Sequence, residues 1–182
     1  MTERVIMAGF GGQGLLLMGK LLSQIMMEKD YHVTWFPSYG AEVRGGTCNC
    51  QVVVSSEEIF SPLVDEATTL IIMNEPSYMR FSPRLAPDGM MLLNTTMIPT
   101  VDPKSDERII GVPATEIAAD LGSLKAANMV MIGAYNRIRQ FASTQELLDV
   151  VKTYLTGRKA ALFDINKRAV ESGSEFVSSV KK

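Results

Sequence analysis

A cluster of glycines near the start of the chain is the first feature with a recognisable chemistry. An apolar run precedes the cluster and a helical pattern follows it, which predicts a strand, a tight turn and a helix. The peptide N–H groups at the start of such a helix carry partial positive charge and suit a phosphate group. The glycines therefore predict a phosphate-binding loop, with close packing of strand on helix as the alternative. The candidate binding residues, spaced as G-x-G-x-x-G with one extra glycine, are Gly9, Gly11, Gly12, Gln13 and Gly14.

The glycine cluster does not favour a nicotinamide dinucleotide as its ligand. Rossmann domains that bind NAD carry an acidic residue at the end of the second strand, where it holds a ribose. Here the second strand is expected at residues 31–37, and it ends in aromatic residues and Pro37. We therefore expect a loop that holds phosphate groups without nicotinamide chemistry.

A second loop, residues 38–46, combines glycines with side chains that can bind an anion. Arg44 could hold a phosphate or a carboxylate through two parallel hydrogen bonds, and Glu42 could pair with Arg44 or accept a hydrogen bond from a ligand. An exposed turn with one local ion pair explains the same residues, and the sequence leaves both interpretations open. The candidate residues of this loop are Ser38, Tyr39, Gly40, Glu42, Arg44, Gly45 and Gly46.

The order of the predicted elements indicates how these loops are positioned. Strands alternate with helices, which predicts an α/β fold: a Rossmann-like three-layer sandwich with a mostly parallel sheet, forming a single domain over residues 1–182. A short strand at residues 59–60 would add a short antiparallel hairpin with the strand at 47–55. In such sheets ligands bind at the carboxyl ends of the strands, so the two glycine-rich loops should be neighbours.

Two further expectations concern the helical last third of the chain. Thr144 is a candidate cap for a helix at residues 145–155, since its hydroxyl can accept a hydrogen bond from a free peptide N–H. The last helix is expected over residues 158–180, with a break at Gly173.

Composition excludes several classes of protein. The net charge of −2 argues against nucleic-acid binding. The sequence also shows neither a signal peptide nor an apolar run of the roughly 20 residues that span a bilayer, so we expect a soluble, cytoplasmic protein. Cys48 and Cys50 cannot supply the four thiolates of an iron–sulfur cluster, and they are expected to be buried on one face of a strand. The only histidine, His32, is expected to be a structural side chain.

Taken together, the two loops resemble those of the gamma subunit of 2-oxoacid:ferredoxin (acceptor) oxidoreductases. The matching segments are residues 9–14, 38–46 and 128–133, which read GFGGQG, SYGAEVRGG and NMVMIG. Residues 47–50 are most similar to the 2-oxoglutarate branch. The resemblance implies a complex that decarboxylates a 2-oxoacid on thiamine diphosphate, passes electrons through iron–sulfur clusters to ferredoxin or another acceptor, and transfers the acyl group to coenzyme A.

The resemblance also implies how the work is divided among subunits. Thiamine diphosphate and magnesium would lie on the alpha and beta subunits, and the clusters on beta or a small delta subunit. The gamma chain would help to bind coenzyme A, with phosphates on the peptide N–H groups of residues 11–14 and added charge from Arg44. Alternatively, residues 38–46 contact only the partner subunits. The isolated chain is expected to be inactive, and an apolar partner-facing patch would permit it to form a homodimer.

Two other functions stay open at this point. One is the related beta chain of indolepyruvate oxidoreductase, which has the same kind of domain and a different partner. The other is a stand-alone nucleotide-binding protein, against which the missing acidic residue after the second strand counts.

Overall fold

The computed structural model describes residues 2–39 and 47–180 of the 182-residue chain. The chain divides into two compact units, Met1–Gly111 and Val112–Lys182. The organisation as a single domain over residues 1–182 stays a prediction. None of the helices within the described ranges has the length and apolar character needed to cross a membrane.

The first unit contains most of a six-stranded sheet and two α-helices, and the second unit is helical. The strands are β1 (Thr2–Phe10), β2 (His32–Tyr39), β3 (Thr47–Ser55), β4 (Ala67–Ile72), β5 (Leu85–Asn94) and β6 (Ile109–Val112). The helices of the first unit are α1 (Leu15–Glu28) and α2 (Glu75–Phe81), and those of the second are α3 (Ala114–Asp120), α4 (Ala127–Arg139), α5 (Thr144–Tyr154) and α6 (Phe163–Val180). Short 3₁₀ turns lie at Ser82–Arg84, Pro103–Ser105, Leu124–Ala126 and Gly157–Leu162.

The sheet has the strand order β2-β3-β1-β4-β5-β6 and is mixed. The pairs β1/β4 and β4/β5 are parallel, whereas β3 runs antiparallel to both β1 and β2. The predicted α/β class is confirmed, and the antiparallel hairpin is formed by β2 and β3 instead of the segments expected. The expected strand at residues 59–60 is wrong, because these residues lie outside any strand. Both edges of β3 are already occupied by β1 and β2, so no edge is left for a strand at 59–60.

Helices cover both faces of the sheet in the first unit. Met7 pairs with Cys50, and the Cys50 thiol donates a hydrogen bond to the carbonyl of Leu15 in α1, 3.4 Å away. This face therefore packs against α1. Side chains alternate along a strand, so Ile6 lies on the other face, where it joins a buried cluster with Phe81 of α2. The predicted three layers are thus present in this unit.

In the second unit, α4 and α6 pack with their backbones in close approach at two glycines. A Cβ atom added at Gly173 would overlap the carbonyl oxygen of Val130, and one added at Gly133 would overlap the carbonyl oxygen of Val170. The expected helix break at Gly173 is wrong, because α6 continues without interruption through this residue. Glycine is required at these two positions because the backbone of the neighbouring helix leaves no room for a Cβ atom, and not because the chain turns here.

The cap of α5 lies one residue earlier than expected. The Ser143 hydroxyl accepts a hydrogen bond from the peptide N–H of Glu146 at 3.2 Å, and the Glu146 carboxylate accepts one from the peptide N–H of Ser143 at 2.6 Å. This reciprocal pair is a capping box, and Thr144 is the first residue of the helix.

We expect Ser143→Ala to lower the free energy of unfolding by about 1 kcal/mol, the usual cost of losing a capping hydroxyl. Thr144→Ala is the matched control and should change stability by less than about 0.5 kcal/mol. Urea denaturation of both variants checks this expectation. A larger loss for Thr144→Ala than for Ser143→Ala would contradict the observed cap.

Candidate functional site

The first two strands end at the same edge of the sheet. β1 ends at Phe10, which pairs with Thr47, and β2 ends at Tyr39, which pairs with Cys48. Both strands therefore leave the sheet beside the first residues of β3, about 10 Å apart across two strand spacings. β4 is parallel to β1 and also ends here. The sequence predicts that the ends of β1 and β2 carry the site. These two strand ends therefore lie at the same end of the sheet.

Only part of the second predicted loop can be located. Ser38 and Tyr39 form the last two residues of β2, opposite Asn49 and Cys48 of β3. The remaining candidate residues lie outside the described residues; they are Gly40, Glu42, Arg44, Gly45 and Gly46.

The glycine loop has the backbone that its sequence predicts. Gly12 and Gly14 have φ values of +97° and +76°, which favour glycine, and Gly14 is the N-terminal cap of α1 without a side-chain hydrogen bond. Gly12 is exposed, and a Cβ atom there would meet none of the described residues within 4 Å. Within the described ranges, no hydrogen bond is recorded to the peptide N–H of Gly11 or Gly12. The outer side of the loop is therefore open and presents N–H donors.

The start of α1 adds partial positive charge beside these N–H donors. The Gly14 carbonyl accepts hydrogen bonds from the peptide N–H groups of Leu17 and Met18, each at 3.1 Å, so α1 is regular from its first turn. The first turn of α1 contains no acidic residue that would neutralise the helix dipole. The arrangement can hold an anion by backbone donors, and none of the described side chains of the glycine loop would act as an acid, base or nucleophile.

Gln13 has a different place from the one the sequence suggests. Its peptide N–H donates to the carbonyl of Phe10 at 3.2 Å, inside the turn. Its side-chain Oε1 accepts from the peptide N–H of Phe10 at 2.6 Å, and its Nε2 donates to the carbonyl of Met73 at 3.4 Å. A Cβ atom at Gly9 would overlap Oε1 of Gln13 and lie 2.9 Å from Cβ of Met73. Gln13 therefore stabilises the loop from inside. Its peptide N–H is already hydrogen-bonded within the turn and is not directed at a ligand.

Asn74 belongs to the same site, although the sequence analysis did not name it as a site residue. It is buried between β4 and α2, where its Oδ1 accepts from the peptide N–H of Ser77 at 2.9 Å and caps α2. Its Nδ2 lies 3.5 Å from Oε1 of Gln13. The signal was available, since Asn followed by Glu-Pro is typical of a helix start.

The two cysteines are buried, as predicted, and burial disfavours the thiolate form of both. Burial is the largest cause that raises the pKa of the Cys50 thiol, to about 12, and the neighbouring Cys48 raises it further. Burial also raises the pKa of Cys48. A thiol reacts through its thiolate, so the raised pKa values make both residues poorer nucleophiles than a free cysteine. Among the described residues, no group of three or more His, Cys, Asp or Glu side chains could hold a metal ion.

We expect both thiols of the native chain to react with iodoacetamide at pH 8 at least 100-fold more slowly than in urea, because little thiolate is present and access is closed. Mass spectrometry of the alkylated chain over time measures this. Equal rates in native and denatured protein would show that the strand face carrying Cys50 is open.

The other polar residues singled out by sequence lie elsewhere. His32 is exposed at the start of β2, opposite Ser55, at the far end of the strand from Tyr39. Asn128 is buried in α4 of the second unit and has an interaction partner. His32 therefore lies away from the glycine-rich end of the sheet.

The class of protein follows from comparison with known proteins. A family model described as pyruvate ferredoxin/flavodoxin oxidoreductase matches residues 4–176. The chain belongs to this family of oxidoreductases, and the predicted resemblance is confirmed.

Several relatives are, by their names, subunits of oxoacid oxidoreductases. Ketoisovalerate oxidoreductase subunit VorA of Methanothermobacter thermautotrophicus is 38% identical over 173 residues, which are 95% of this chain and 36% of the relative. 2-Oxoglutarate synthase subunit KorC of Methanocaldococcus jannaschii is 30% identical over 81% of this chain and 80% of its own length. Indolepyruvate oxidoreductase subunit IorB of Methanothermobacter thermautotrophicus is 26% identical over 95% of this chain and 96% of its own. This chain therefore spans about a third of the length of the VorA relatives.

A solved structure has the same fold. The 2-oxoglutarate:ferredoxin oxidoreductase from Magnetococcus marinus, solved with 2-oxoglutarate, coenzyme A and succinyl-CoA bound, superposes with a TM-score of 0.85. The match covers 98% of this chain and 31% of that chain at 20% identity, a level that shows the fold.

Proposed function

We propose that this chain is the gamma subunit of a multi-subunit 2-oxoacid:ferredoxin (acceptor) oxidoreductase. The family match over residues 4–176 is the observation that carries the proposal. VorA has the higher identity and KorC the closer length, so 2-oxoglutarate and ketoisovalerate are the leading oxoacids, and 2-oxoglutarate stays our prediction. The indolepyruvate alternative is weaker, with 26% identity.

The role of the chain within the complex is to help bind coenzyme A. The peptide N–H groups of Gly11 and Gly12, together with the start of α1, would hold the diphosphate, and Arg44 would add charge. Three observations support this: the open side of the loop at Gly12, the absence of an acidic residue in the first turn of α1, and the coenzyme A in the Magnetococcus enzyme of the same fold. Gln13 and Gly14 would contribute through the shape of the loop.

The second loop would contribute the other side of the site. The common edge at which β1 and β2 end supports this placement. We assign the remaining predicted binding residues to it; they are Ser38, Tyr39, Gly40, Glu42, Gly45 and Gly46.

The chemical steps would belong to partner chains. Alpha and beta subunits, with or without a delta subunit, would carry thiamine diphosphate, magnesium and the iron–sulfur clusters, and would pass electrons to ferredoxin or another acceptor in the cytoplasm. This division is supported by the subunit names of the relatives and by the larger part of VorA that this chain does not span. The isolated chain would be inactive, since the described residues of its site contain no acid–base pair or nucleophile.

The test is the dependence of 2-oxoacid oxidation on coenzyme A in the assembled complex. We expect Arg44→Ala to raise KM for coenzyme A about tenfold or more, because a hydrogen bond to a charged group contributes about 1.5–3 kcal/mol. The kcat should stay within about twofold. Arg158→Ala, in the exposed 3₁₀ turn of the second unit, is the matched control and should change neither value. An unchanged KM in Arg44→Ala would reject the role of Arg44.

Co-purification identifies the rest of the complex. The tagged chain, purified from its native extract, should bring the partner subunits with it and oxidise one oxoacid preferentially. Recovery of a fully active single chain would reject the proposed function.

A further inference from the structure

The glycine loop is closed by one side chain, that of Gln13. We propose that Gln13 is a positioning residue, which fixes the loop to the end of β4 so that the peptide N–H groups of Gly11 and Gly12 face an incoming phosphate group. This inference rests on the proposed function of the loop in binding coenzyme A.

The contacts of Gln13 join two neighbouring strand ends. Its Oε1 accepts from the peptide N–H of Phe10 at 2.6 Å, at the point where β1 ends, and its Nε2 donates to the carbonyl of Met73 at 3.4 Å. The peptide N–H of Met73 in turn donates to the carbonyl of Ala8 at 2.8 Å, which ties the end of β4 to β1. The side chain therefore bridges the loop to a fixed part of the sheet, and a loop held in this way loses little conformational entropy when it binds a ligand.

The side-chain amide of Gln13 suits this bridge better than the end groups of other side chains of similar length. An amide has one acceptor and one donor group, which match the N–H of Phe10 and the carbonyl of Met73. A glutamate would keep the acceptor, but it would place a second oxygen against the carbonyl of Met73 and add negative charge beside the phosphate site. A methionine would have nearly the same length and neither hydrogen bond.

The sequence around Gln13 makes room for this side chain. Gly9 lacks the Cβ atom that would overlap Oε1 of Gln13. On the other side, Nδ2 of Asn74 lies 3.5 Å from the same oxygen, and Asn74 caps α2 through the peptide N–H of Ser77. The loop and the start of α2 therefore share one hydrogen-bond network.

Gln13→Met in the assembled complex tests the inference. We expect KM for coenzyme A to rise about tenfold, while kcat and KM for the oxoacid stay within about twofold. Gln24→Met is the matched control, because Gln24 lies on α1 and its side chain only donates to Glu28 at 2.7 Å. A merely structural role of Gln13 would lower stability without this selective change in KM, and that result would overturn the inference.

A second variant separates this inference from the proposed function. Gly12→Asp places a carboxylate on the open side of the loop and should raise KM for coenzyme A whatever holds the loop. If Gly12→Asp raises KM and Gln13→Met does not, the positioning role is rejected while the site stands. If Gly12→Asp has no effect, the loop does not bind the phosphates, and both proposals fail.

Hydrogen exchange gives a readout that does not depend on turnover. The peptide N–H of residue 13, which donates to the carbonyl of Phe10 at 3.2 Å, should be at least fivefold less protected from exchange in the Gln13→Met complex than in the Gln24→Met complex, because the loop opens without the bridge. If Gln13→Met does not assemble, Gln13→Glu, which keeps the acceptor for Phe10, takes its place in the exchange measurement, which is made without coenzyme A. Equal exchange rates in the variant and its control would overturn the positioning role.

Discussion

Replacing Gly173 with alanine should destabilise the second unit by about 3 kcal/mol and lower Tm by about 10 °C. The added Cβ atom would overlap the carbonyl oxygen of Val130, and it would lie 3.1 Å from the peptide nitrogen of Ala134. Both neighbours are backbone atoms of α4, so no change of rotamer can relieve the overlap. The helices must move apart, which opens their interface and costs packing energy.

The direction of the stability change makes Gly173→Ala an informative test of the close approach of α4 and α6. In an isolated helix, alanine is about 1 kcal/mol more favourable than glycine, so without the close approach the substitution would stabilise α6. Ser172→Ala, on the preceding residue of the same helix, is the matched control and should change Tm by only about 1–2 °C. Thermal unfolding followed by circular dichroism measures both variants. A Gly173→Ala variant as stable as the parent chain would contradict the close approach of α4 and α6.

The second large effect is expected at Gly9. Gly9→Ala places a Cβ atom 2.9 Å from Cβ of Met73 and in overlap with Oε1 of Gln13. The Gln13 side chain must then leave the peptide N–H of Phe10, and the loop loses the bridge that holds it. We expect KM for coenzyme A in the assembled complex to rise at least tenfold.

Gly19→Ala is the control for this substitution. There the added Cβ atom would lie 2.6 Å from the thiol sulfur of Cys50 and 2.8 Å from Nε1 of Trp35, on α1 outside the loop. Both variants should unfold more easily, but only Gly9→Ala should weaken the response to coenzyme A. The measurement pairs urea denaturation with steady-state kinetics. The role of the loop would be rejected if KM rose equally in the two variants or in neither.

Much of the architecture at the glycine loop could be predicted from the sequence, because short-range rules decide it. An apolar run, glycines at fixed spacing and a helical period specify β1, the loop and α1, and Gly12 and Gly14 have the positive φ values expected of them. The position and direction of β3 could be predicted only from the length of its connection to β2. Only residues 40–46 connect β2 to β3, and a parallel pair needs a crossover of a dozen or more residues. The antiparallel arrangement could therefore have been predicted from this connection.

Other features depend on contacts that no local pattern reveals. Glycine in a helical segment predicts a break unless a second helix approaches closely, and the sequence does not say that Val130 lies against Gly173. Likewise, a glutamine in a glycine loop is equally suited to bind a ligand or the protein. Only the positions of Phe10 and Met73 show that the side chain of Gln13 turns inward.

The central position of β1 has a consequence for biosynthesis. Its two neighbours are β3 and β4, so one of its hydrogen-bonding edges stays unsatisfied until the ribosome has produced the chain as far as Ile72. Such long-range pairing is slow, and an apolar strand without neighbours is prone to aggregate. The hairpin of β2 and β3 can form earlier, from residues close in sequence, and provides a template onto which β1 adds. The nascent chain is therefore most prone to aggregate before β4 has been synthesised.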